Sequence, residues 1–435
     1  MREDFIPQLD PLHSKIHLRK IKTDFGYRSI YDSASYCTRC GSCQQACPTY
    51  QNFNQETFSP RGRNQVLRLL AEGKIKLSAD RKIISQTVNT CLLCGRCTQA
   101  CAGKIPTAEH VLEIRRALQQ RVLPCFLQSL LRLRNTSPKL FAWVVQTGIL
   151  LRNWGAIRML KKSGLLNLQC LNWLKHTDEI LPVRIPSLKK LLKKSSFFQG
   201  KAPIKKIYLP SLEAEFFIPD LILTVLQTAG KETELWHNMS SGLFEYVYGD
   251  LRRSRRCLRR LIVRHLKTKK GSLPFITDSI DVYNFLQKAP QLFAENNFWR
   301  EKAQHFAKQV IFAAELLPKK LTIKPAFTSP VRLDYSALFT RESIAVQKSE
   351  EILKTLFKKN FVECSYTDAD TPAFGYALVQ KELFEQISLN SVRTIARTQT
   401  GTVFTLSGLS ALELDHKLKK FFPSAKAEHI IRLNG

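Results

Sequence analysis

Two copies of one cysteine spacing constrain the fold of this chain more than any other feature of its sequence. In each copy, three cysteines are separated by two residues, and a fourth follows after three more. The eight residues are Cys37, Cys40, Cys43 and Cys47 in the first copy and Cys91, Cys94, Cys97 and Cys101 in the second. Three thiolates this close together can wrap a tight turn around one iron–sulfur cube. The spacing therefore predicts two [4Fe–4S] clusters.

The fourth cysteine of each copy is expected to ligate the cluster of the other copy, because it lies on the helix that follows and points away from its own loop. One cluster is thereby assigned to Cys37, Cys40, Cys43 and Cys101, and the other to Cys91, Cys94, Cys97 and Cys47. Gly41 and Gly95 each follow the second cysteine of a copy. Without a Cβ at these positions, the loop can approach the cluster closely.

Disulfide bonds and structural zinc are the alternative uses of so many cysteines. Disulfides require an oxidising compartment, and we expect a reducing one because no signal peptide precedes the motifs. Structural zinc prefers two separated pairs of cysteines to three evenly spaced ones. The other four cysteines, which are Cys125, Cys170, Cys257 and Cys364, are scattered singly and are expected to be small buried apolar side chains.

The link between the two copies is helical in pattern over residues 65–72 and 85–88 and is too long for a compact bacterial ferredoxin. It resembles the all-helical ferredoxin module of succinate dehydrogenase-type subunits. The run Ser59-Pro60-Arg61-Gly62-Arg63 resembles a turn in the glycolate oxidase iron–sulfur subunit and its relatives, including heterodisulfide reductase and glycerol-3-phosphate dehydrogenase C subunits. Pro60 and Gly62 are expected to shape this turn. Arg61 and Arg63 either donate to cluster sulfurs or carbonyls, or are solvated turn residues.

The formal charge of +31 is concentrated in the middle of the chain. Residues 111–206 hold 19 basic and 3 acidic side chains, together with apolar runs that contain tryptophan. The longest of these runs, 140–151, is shorter than the ~20 residues that span a bilayer, so we expect no transmembrane helix. Basic amphipathic helices of this kind either lie on an anionic membrane surface or pack on the protein's own domains with their charges solvated.

Nucleic acid is the other partner that such a charge suggests. Its best site is the acid-free run 252–270, which holds ten Arg and Lys residues. Apolar residues recur through this run with helical spacing, at Leu251, Leu258, Leu261, Ile262 and Leu266. The run is therefore predicted to be one packed helix with a basic outer face. Because no nucleic-acid-binding motif accompanies it, we do not expect a nucleic-acid partner.

From residue 203 onward, strand-like runs alternate with helical ones. The predicted strands are 204–209, 232–236, 273–277, 331–335, 402–406 and 430–433, and the predicted helices are 219–229, 251–266, 282–287 and 299–317. This order indicates two tandem α/β units. We therefore predict an α+β multidomain protein, with an all-helical ferredoxin domain at 1–110, a basic amphipathic helical segment at 111–203, and α/β units at 204–328 and 329–435.

The resemblance to the glycolate oxidase iron–sulfur subunits extends into these α/β units, but without the cysteines of that family. The family ends in two repeats, each with a Cys–Cys–Gly turn and further lone cysteines. Those positions are taken here by Ser211, Ser240-Ser241-Gly242, Ser279, Leu333-Asp334-Tyr335-Ser336 and residues 370–375. Serine is a poor ligand for iron, so we expect degenerate repeats that keep the scaffold without a redox centre. His237, His13 and His17 are expected to be structural.

The sequence contains no dinucleotide-binding, phosphate-binding, nucleophile-elbow or zinc-protease motif, so no catalytic residue is predicted. The resemblance implies an iron–sulfur subunit that carries electrons from a flavoprotein dehydrogenase of a glycolate-like 2-hydroxy acid to a membrane acceptor such as quinone. The alternatives are electron transfer in a heterodisulfide reductase-like or glycerol-3-phosphate dehydrogenase-like complex, and a non-redox iron–sulfur scaffold. The expected location is the cytoplasm, either free or peripherally attached to the inner face of the cell membrane.

Overall fold

The computed structural model describes residues 20–23, 26–118, 125–163, 178–182, 184–194, 203–268, 271–317, 329–335, 343–363 and 381–434. Several positions singled out above lie outside the described residues, namely His13, His17, Cys170, Ser336, Cys364 and the segment 370–375.

The described residues form helices along the whole chain, with strands near the N-terminus and in the C-terminal half. The helices are α1 (Ile30–Ser35), α2 (Ser42–Gln45), α3 (Pro48–Phe53), α4 (Pro60–Ala71), α5 (Arg81–Asn89), α6 (Arg96–Ala100), α7 (Thr107–Ala117), α8 (Cys125–Thr136), α9 (Pro138–Asn153), α10 (Ala156–Lys162), α11 (Leu188–Lys194), α12 (Leu212–Phe216), α13 (Pro219–Ala229), α14 (Leu243–Val247), α15 (Leu251–Lys267), α16 (Ile280–Gln287), α17 (Ala289–Leu292), α18 (Asn297–Gln309), α19 (Ile344–Phe357), α20 (Lys381–Arg397) and α21 (Gly408–Phe421). The strands are β1 (Lys20–Thr23), β2 (Gly26–Ser29), β3 (Lys206–Leu209), β4 (Thr233–Leu235), β5 (Phe275–Thr277), β6 (Val310–Phe312), β7 (Val331–Leu333), β8 (Thr402–Thr405) and β9 (Lys426–His429).

Helices α1 to α7 carry the two cysteine motifs and follow an antiparallel hairpin of β1 and β2, which the sequence pattern did not predict. The predicted helical runs at 65–72 and 85–88 correspond to α4 and α5. The predicted turn at Pro60 and Gly62 is wrong, because these residues form the first turn of α4. Ser59 Oγ accepts a hydrogen bond from the Gly62 backbone N at 2.8 Å, and Pro60 occupies a first-turn position, where its missing N–H is harmless.

The C-terminal half contains two parallel sheets with related strand orders. The first has the order β4-β3-β5-β6, and the second has the order β7-β8-β9. A further parallel bridge joins Phe361 to Val331 of β7, so the second sheet has a fourth position beside β7. This position corresponds to that of β4, which lies beside β3 at the edge of the first sheet. Two sheets with this order are what a tandem α/β repeat predicts. The predicted boundaries at 204–328 and 329–435 stay predictions.

Two predicted elements of these α/β units are wrong at their ends. The helix predicted over 299–317 ends at Gln309, because Val310–Phe312 pairs with β5 as the edge strand β6. The strand predicted at 430–433 is a 3₁₀ helix, and the strand β9 lies immediately before it at Lys426–His429. In both cases, tertiary pairing decides between helix and strand for a short apolar run that has no clear period of its own.

The basic middle segment forms helices α8 to α11, and the basic run after residue 251 forms α15. Leu251, Leu258, Leu261 and Ile262 are buried in α15, which confirms the predicted packed helix. Within the described ranges, no helix combines the length and apolar character that are needed to cross a membrane.

The largest of three hydrophobic clusters among the described residues joins the cysteine-bearing helices to the α/β units. It runs from Ile30 of α1 through Val111 of α7 to Tyr246 of α14, and on to Ile431 near the C-terminus. Gly249 is part of this junction, since a Cβ there would lie 2.8 Å from the backbone of Arg115. The cysteine motifs are therefore packed directly against the first α/β unit.

Candidate iron–sulfur centre

The two cysteine loops have matching backbone conformations. In each motif, the residue before the second cysteine has a left-handed backbone conformation, with φ of 60° at Arg39 and 56° at Leu93. The glycine after it is also left-handed, with φ of 87° at Gly41 and 77° at Gly95. Left-handed backbone at a residue other than glycine is unfavourable by roughly 1 kcal/mol or more and tends to occur at functional sites. The same strained turn therefore recurs in both copies of the motif.

Cys43 is the thiol around which the first group of cysteines gathers. Burial, followed by the charges of the neighbouring thiolates of Cys37, Cys101 and Cys47, raises the pKa of Cys43 to about 12. Cys101 enters this group because α6, which it follows, packs against α2. Cys40 is exposed, and hydrogen bonding to Ser42 lowers the pKa of its thiol.

Cys97 occupies the corresponding position in the second group. Burial raises the pKa of Cys97 well above its usual value, and the thiolates of Cys94, Cys47 and Cys91 add to the rise. Cys47 and Cys91 are both buried, so this group lies deeper than the group of Cys40. Cys47, the fourth cysteine of the first motif, is thus a neighbour of Cys97 and Cys94 of the second motif.

Arg63 is a buried arginine held against the second group. Its Nη1 donates to Cys47 Sγ at 3.7 Å, and its Nη2 donates to Thr49 Oγ1 and to Thr90 Oγ1 at 3.0 Å each. Its Nε donates to the Thr87 carbonyl at 3.0 Å. Burial alone would lower the pKa of Arg63, but the thiolates of Cys91 and Cys47 hold this pKa above its usual range. The arginine is therefore a fixed positive charge beside these thiolates.

Arg61 is placed differently from Arg63. It forms a two-point ion pair with Glu56, through Nε at 2.7 Å and Nη2 at 2.9 Å. Its Nη1 also donates to the carbonyl of Arg39, inside the first cysteine loop, at 3.2 Å. Arg61 therefore supports the loop backbone, whereas Arg63 contacts a cysteine.

The donor set fits iron–sulfur clusters better than a single metal ion. All eight motif cysteines are free thiols. Among the described residues, no three His, Cys, Asp or Glu side chains converge on one metal-ion position. A cubane does not need such convergence, because each of its four cysteines ligates a different iron. The raised pKa of Cys43 and of Cys97 also means that binding of iron would release protons.

A second polar site lies where the two parallel sheets meet at the carboxyl ends of their strands. A pocket of about 440 Å³, open solvent included, is lined there by Ser211, Ser241 and Ser279. These serines stand at three of the positions where the resemblance predicts cysteines. Ser211 follows β3 and Ser279 follows β5, so the parallel register brings their loops to one edge. Arg134 of α8 also lines the pocket.

Ser407 is a member of this pocket that sequence reasoning missed. It follows β8 as Ser279 follows β5, and the two strands have matching positions in their sheets. The runs Phe275-Ile-Thr-Asp-Ser279 and Val403-Phe-Thr-Leu-Ser407 were the available signal, since each is a buried strand that ends in Thr-x-Ser. Ser407 Oγ lies 3.4 Å from Glu213 Oε1, which links the second sheet to the first.

Buried carboxyl groups surround the same edge. Asp278 Oδ1 accepts from the Ser211 backbone N, and Asp278 Oδ2 accepts from Ser211 Oγ, both at 2.7 Å. Burial nevertheless raises the pKa of Asp278 to about 6. Burial, followed by the charge of Asp278, raises the pKa of Glu213 to about 7. His237, in contrast, is exposed, and its Nδ1 lies 2.5 Å from the side-chain amide nitrogen of the neighbouring Asn238.

Comparison with known proteins supports an iron–sulfur protein. Residues 33–105 match the 4Fe-4S dicluster domain family. The chain is 26% identical over 226 residues to the probable glycolate oxidase iron-sulfur subunit of Bacillus subtilis (strain 168), which covers 49% of each chain. It is 30% identical over 122 residues to the glycolate oxidase iron-sulfur subunit of Escherichia coli (strain K12), covering 27% of this chain and 28% of the relative. No solved structure matches the chain.

The predicted resemblance is thereby confirmed, over part of the chain. The matched segments span about half the length of the first relative and less than a third of the second. The chain thus carries a 4Fe-4S dicluster domain and resembles the glycolate oxidase iron–sulfur subunits.

Proposed function

We propose that this protein is an electron-transfer subunit that holds two [4Fe–4S] clusters. The observation that carries the proposal is the gathering of free thiols around Cys43 and around Cys97, in two loops with matching strained backbone. We assign Cys37, Cys40, Cys43 and Cys101 to one cluster, and Cys91, Cys94, Cys97 and Cys47 to the other. The charge neighbours of Cys43 and of Cys97 support this crossed assignment.

Each cluster supplies reversible one-electron transfer when it is bound. The residues of the chain set the direction of that transfer. Cys40 is exposed, whereas Cys47 and Cys91 are buried. A partner's redox centre can approach the group of Cys40 most closely, so we place electron exchange on that side. Arg63 holds a positive charge against the deeper group. This charge favours the reduced state of the cluster assigned to that group.

The partner that we propose is a flavoprotein dehydrogenase of a glycolate-like 2-hydroxy acid, with quinone as the acceptor at an anionic membrane. The names of the two relatives, which are subunits of glycolate oxidase, support this choice of partner. The absence of any organic-cofactor motif in the sequence supports a role without a catalytic site of its own. The serine-lined pocket is proposed to be the retained scaffold of a degenerate repeat, without iron.

Iron and sulfide analysis of the anaerobically purified protein tests the cluster content. We expect about eight irons and eight acid-labile sulfides per chain, because two cubanes contain four of each. Cys101→Ser is expected to damage the cluster of Cys37, Cys40 and Cys43, as followed by electron paramagnetic resonance. Four irons in the wild type would contradict two clusters, and damage confined to the cluster of Cys91, Cys94 and Cys97 would contradict crossed ligation.

Reconstitution tests the electron-transfer role. The full chain is combined with a co-purified flavoprotein, and quinone reduction by 2-hydroxy acids is followed. Turnover is expected to require this chain and to be lost with Cys43→Ser. Unchanged turnover would instead favour the non-redox scaffold, and co-purification of a heterodisulfide reductase-like partner would favour that alternative complex.

A further inference from the structure

Helix α9 has two apolar faces, and within the part of the chain that the structure describes only one of them is buried. The inner face packs against α8 and α12, where Phe141 and Ala142 are buried in a small core with Phe216. Phe141 meets Phe216 edge to face, with ring centroids 5.6 Å apart. At its C-terminal end α9 is also held by Arg152, which pairs with Asp178 at 2.6 Å and donates to the carbonyl of Pro182 at 2.8 Å.

The outer face of α9 is an apolar stripe open to solvent. Its positions recur at spacings of three and four, which places them on one side of a helix. They are 140, 143, 144, 147, 150 and 151 of α9 and 154 just after its end, and all but Thr147 are apolar. The large members of this stripe are all exposed, with exposed fractions of 48% for Leu140, 64% for Trp143, 37% for Val144, 53% for Leu150, 48% for Leu151 and 80% for Trp154. Met159 of the adjoining α10 is 74% exposed. Large exposed apolar patches mark interaction surfaces.

The charge around this stripe points to an anionic partner. No Asp or Glu occurs in the sequence between Glu113 and Asp178. Lys139 at the start of α9 and Lys162 at the end of α10 are both exposed. Tryptophan together with lysine and arginine is the composition that favours the interface of a lipid bilayer, whereas lysine is depleted from protein–protein interfaces.

The length of α9 fixes how such a helix would lie. Its 16 residues extend for about 24 Å, which is shorter than the ~30 Å hydrocarbon core of a bilayer. The helix also has an inner face committed to α8 and α12. Only an orientation parallel to the membrane surface inserts the outer stripe and leaves the inner contacts intact.

We propose that the outer face of α9, with Met159 of α10, inserts into the interfacial region of an anionic lipid bilayer. The apolar stripe of Trp143, Leu150 and Trp154 enters the boundary between headgroups and acyl chains, and the surrounding lysines contact lipid phosphates. The idea that this surface delivers electrons to quinone rests on the proposed function. Binding of the surface to lipid does not, and it is measured separately.

Vesicle binding by the full-length protein tests the proposal. The probes are phosphatidylcholine vesicles with and without phosphatidylglycerol, assayed by co-sedimentation at low and high salt. The wild type is expected to bind the anionic vesicles, and less strongly as salt rises, because screening acts within about 8–10 Å. Trp143→Ser/Trp154→Ser is expected to weaken this binding by about tenfold or more, since two large apolar side chains are lost.

A matched variant removes two equally exposed apolar side chains elsewhere. Ile83→Ser/Phe298→Ser changes residues that are each 60% exposed and lie on α5 and α18. This variant is expected to bind vesicles as the wild type does. Lys139→Glu/Lys162→Glu is expected to reduce binding to anionic vesicles and to flatten its salt dependence.

Three outcomes would overturn the proposal. One is wild-type protein that does not bind anionic vesicles, and another is a tryptophan variant that binds as well as its matched control. The third is a tryptophan variant that keeps vesicle binding but loses a flavoprotein or its own dimer, because the stripe would then be a protein interface. Iron content is measured in parallel, so that failure of the clusters and failure of lipid binding are recorded independently.

Discussion

Arg63 is the residue whose surroundings bear most directly on the cluster chemistry. It is 2% exposed and uses all three of its nitrogens, towards Thr87, Thr49, Thr90 and Cys47. A buried arginine is stable only when it is paired and fully hydrogen-bonded. The thiolates supply the charge, and the threonines with one carbonyl supply the remaining acceptors. The arginine thus links the stability of the fold to the charge of the deeper thiol group.

Arg63→Met is expected to destabilise the protein by about 2–4 kcal/mol and to lower the reduction potential of the deeper cluster. The stability is lost because buried acceptors are left unpaired, and the potential falls because a nearby positive charge no longer stabilises the added electron. Urea unfolding and a redox titration followed by electron paramagnetic resonance measure the two effects. Arg61→Met is the control, since Arg61 is half-exposed and pairs with Glu56. Equal effects of the two variants would contradict a special role for Arg63.

Glu213 makes the region around the serine-lined pocket sensitive to pH. Its pKa rises from 4.5 to about 7, chiefly by burial, so the native state binds its proton more tightly than the unfolded state does. Stability is therefore fully present below about pH 4.5 and declines as the pH rises towards 7. The raised pKa of Asp278 acts in the same direction, up to about pH 6.

Glu213→Gln is expected to remove much of this pH dependence and to stabilise the pocket region at pH 8 by about 1–3 kcal/mol. Native-state hydrogen exchange of β3 and β8 at several pH values is the measurement. Glu72→Gln provides a contrast, because the Arg68 partner lowers the pKa of Glu72. An equal pH dependence of exchange in the wild type and in Glu213→Gln would contradict the prediction.

At the scale of elements, the cysteine loops depend on glycine for their conformation. Gly41 lies at φ of 87° immediately before α2, and its Cβ would also meet Gln44 Oε1 at 3.1 Å. The loop therefore combines a left-handed backbone with a close side-chain neighbour. Only glycine adopts such a conformation without strain.

Gly41→Ala is expected to destabilise the protein by about 1–2 kcal/mol and to reduce the iron content of the cluster at Cys37, Cys40 and Cys43. Gly73→Ala is a well-matched control, since Gly73 has φ of 70° and nothing within 4 Å of its Cβ position. It should show the backbone effect on urea unfolding while leaving the iron content unchanged. Iron loss in both variants would mean that general destabilisation, not the loop, is responsible.

At the scale of the whole molecule, Arg115 joins the cysteine-bearing helices to the first α/β unit. Its guanidinium donates to the carbonyls of Val88 and Cys91 at 2.8 Å each, and to the carbonyl of Val247 at 3.1 Å. Nearby, Glu109 accepts from Tyr246 Oη and from Lys288 Nζ, at 2.9 Å each. One buried side chain therefore connects a cysteine loop with the end of α14.

Arg115→Met is expected to destabilise the whole chain by about 3 kcal/mol or more and to release iron, because three buried carbonyls lose their donor. Hydrogen exchange should increase together in α7 and α14, since the two helices share this contact. Arg68→Met, which removes a partly exposed i,i+4 pair with Glu72, is expected to change stability by less than about 1 kcal/mol. Exchange that increases in α7 alone would show that the two parts are not coupled.

The sequence by itself determined the two cysteine motifs, the buried stripe of α15 and most of the strands, because these depend on spacing and local periodicity. Helix α13, for example, runs from Pro219 to Ala229 and stops before Gly230, as its residues predict. Val310–Phe312 is a strand, followed by a 3₁₀ turn, because it pairs with β5. No local sequence pattern reveals that pairing. The meeting of Ser211, Ser279 and Ser407 in one pocket also required both sheets to be in place. The exposure of Trp143 and Trp154 was likewise decided by tertiary structure, since α9 is apolar on two faces and only packing determines which one is covered.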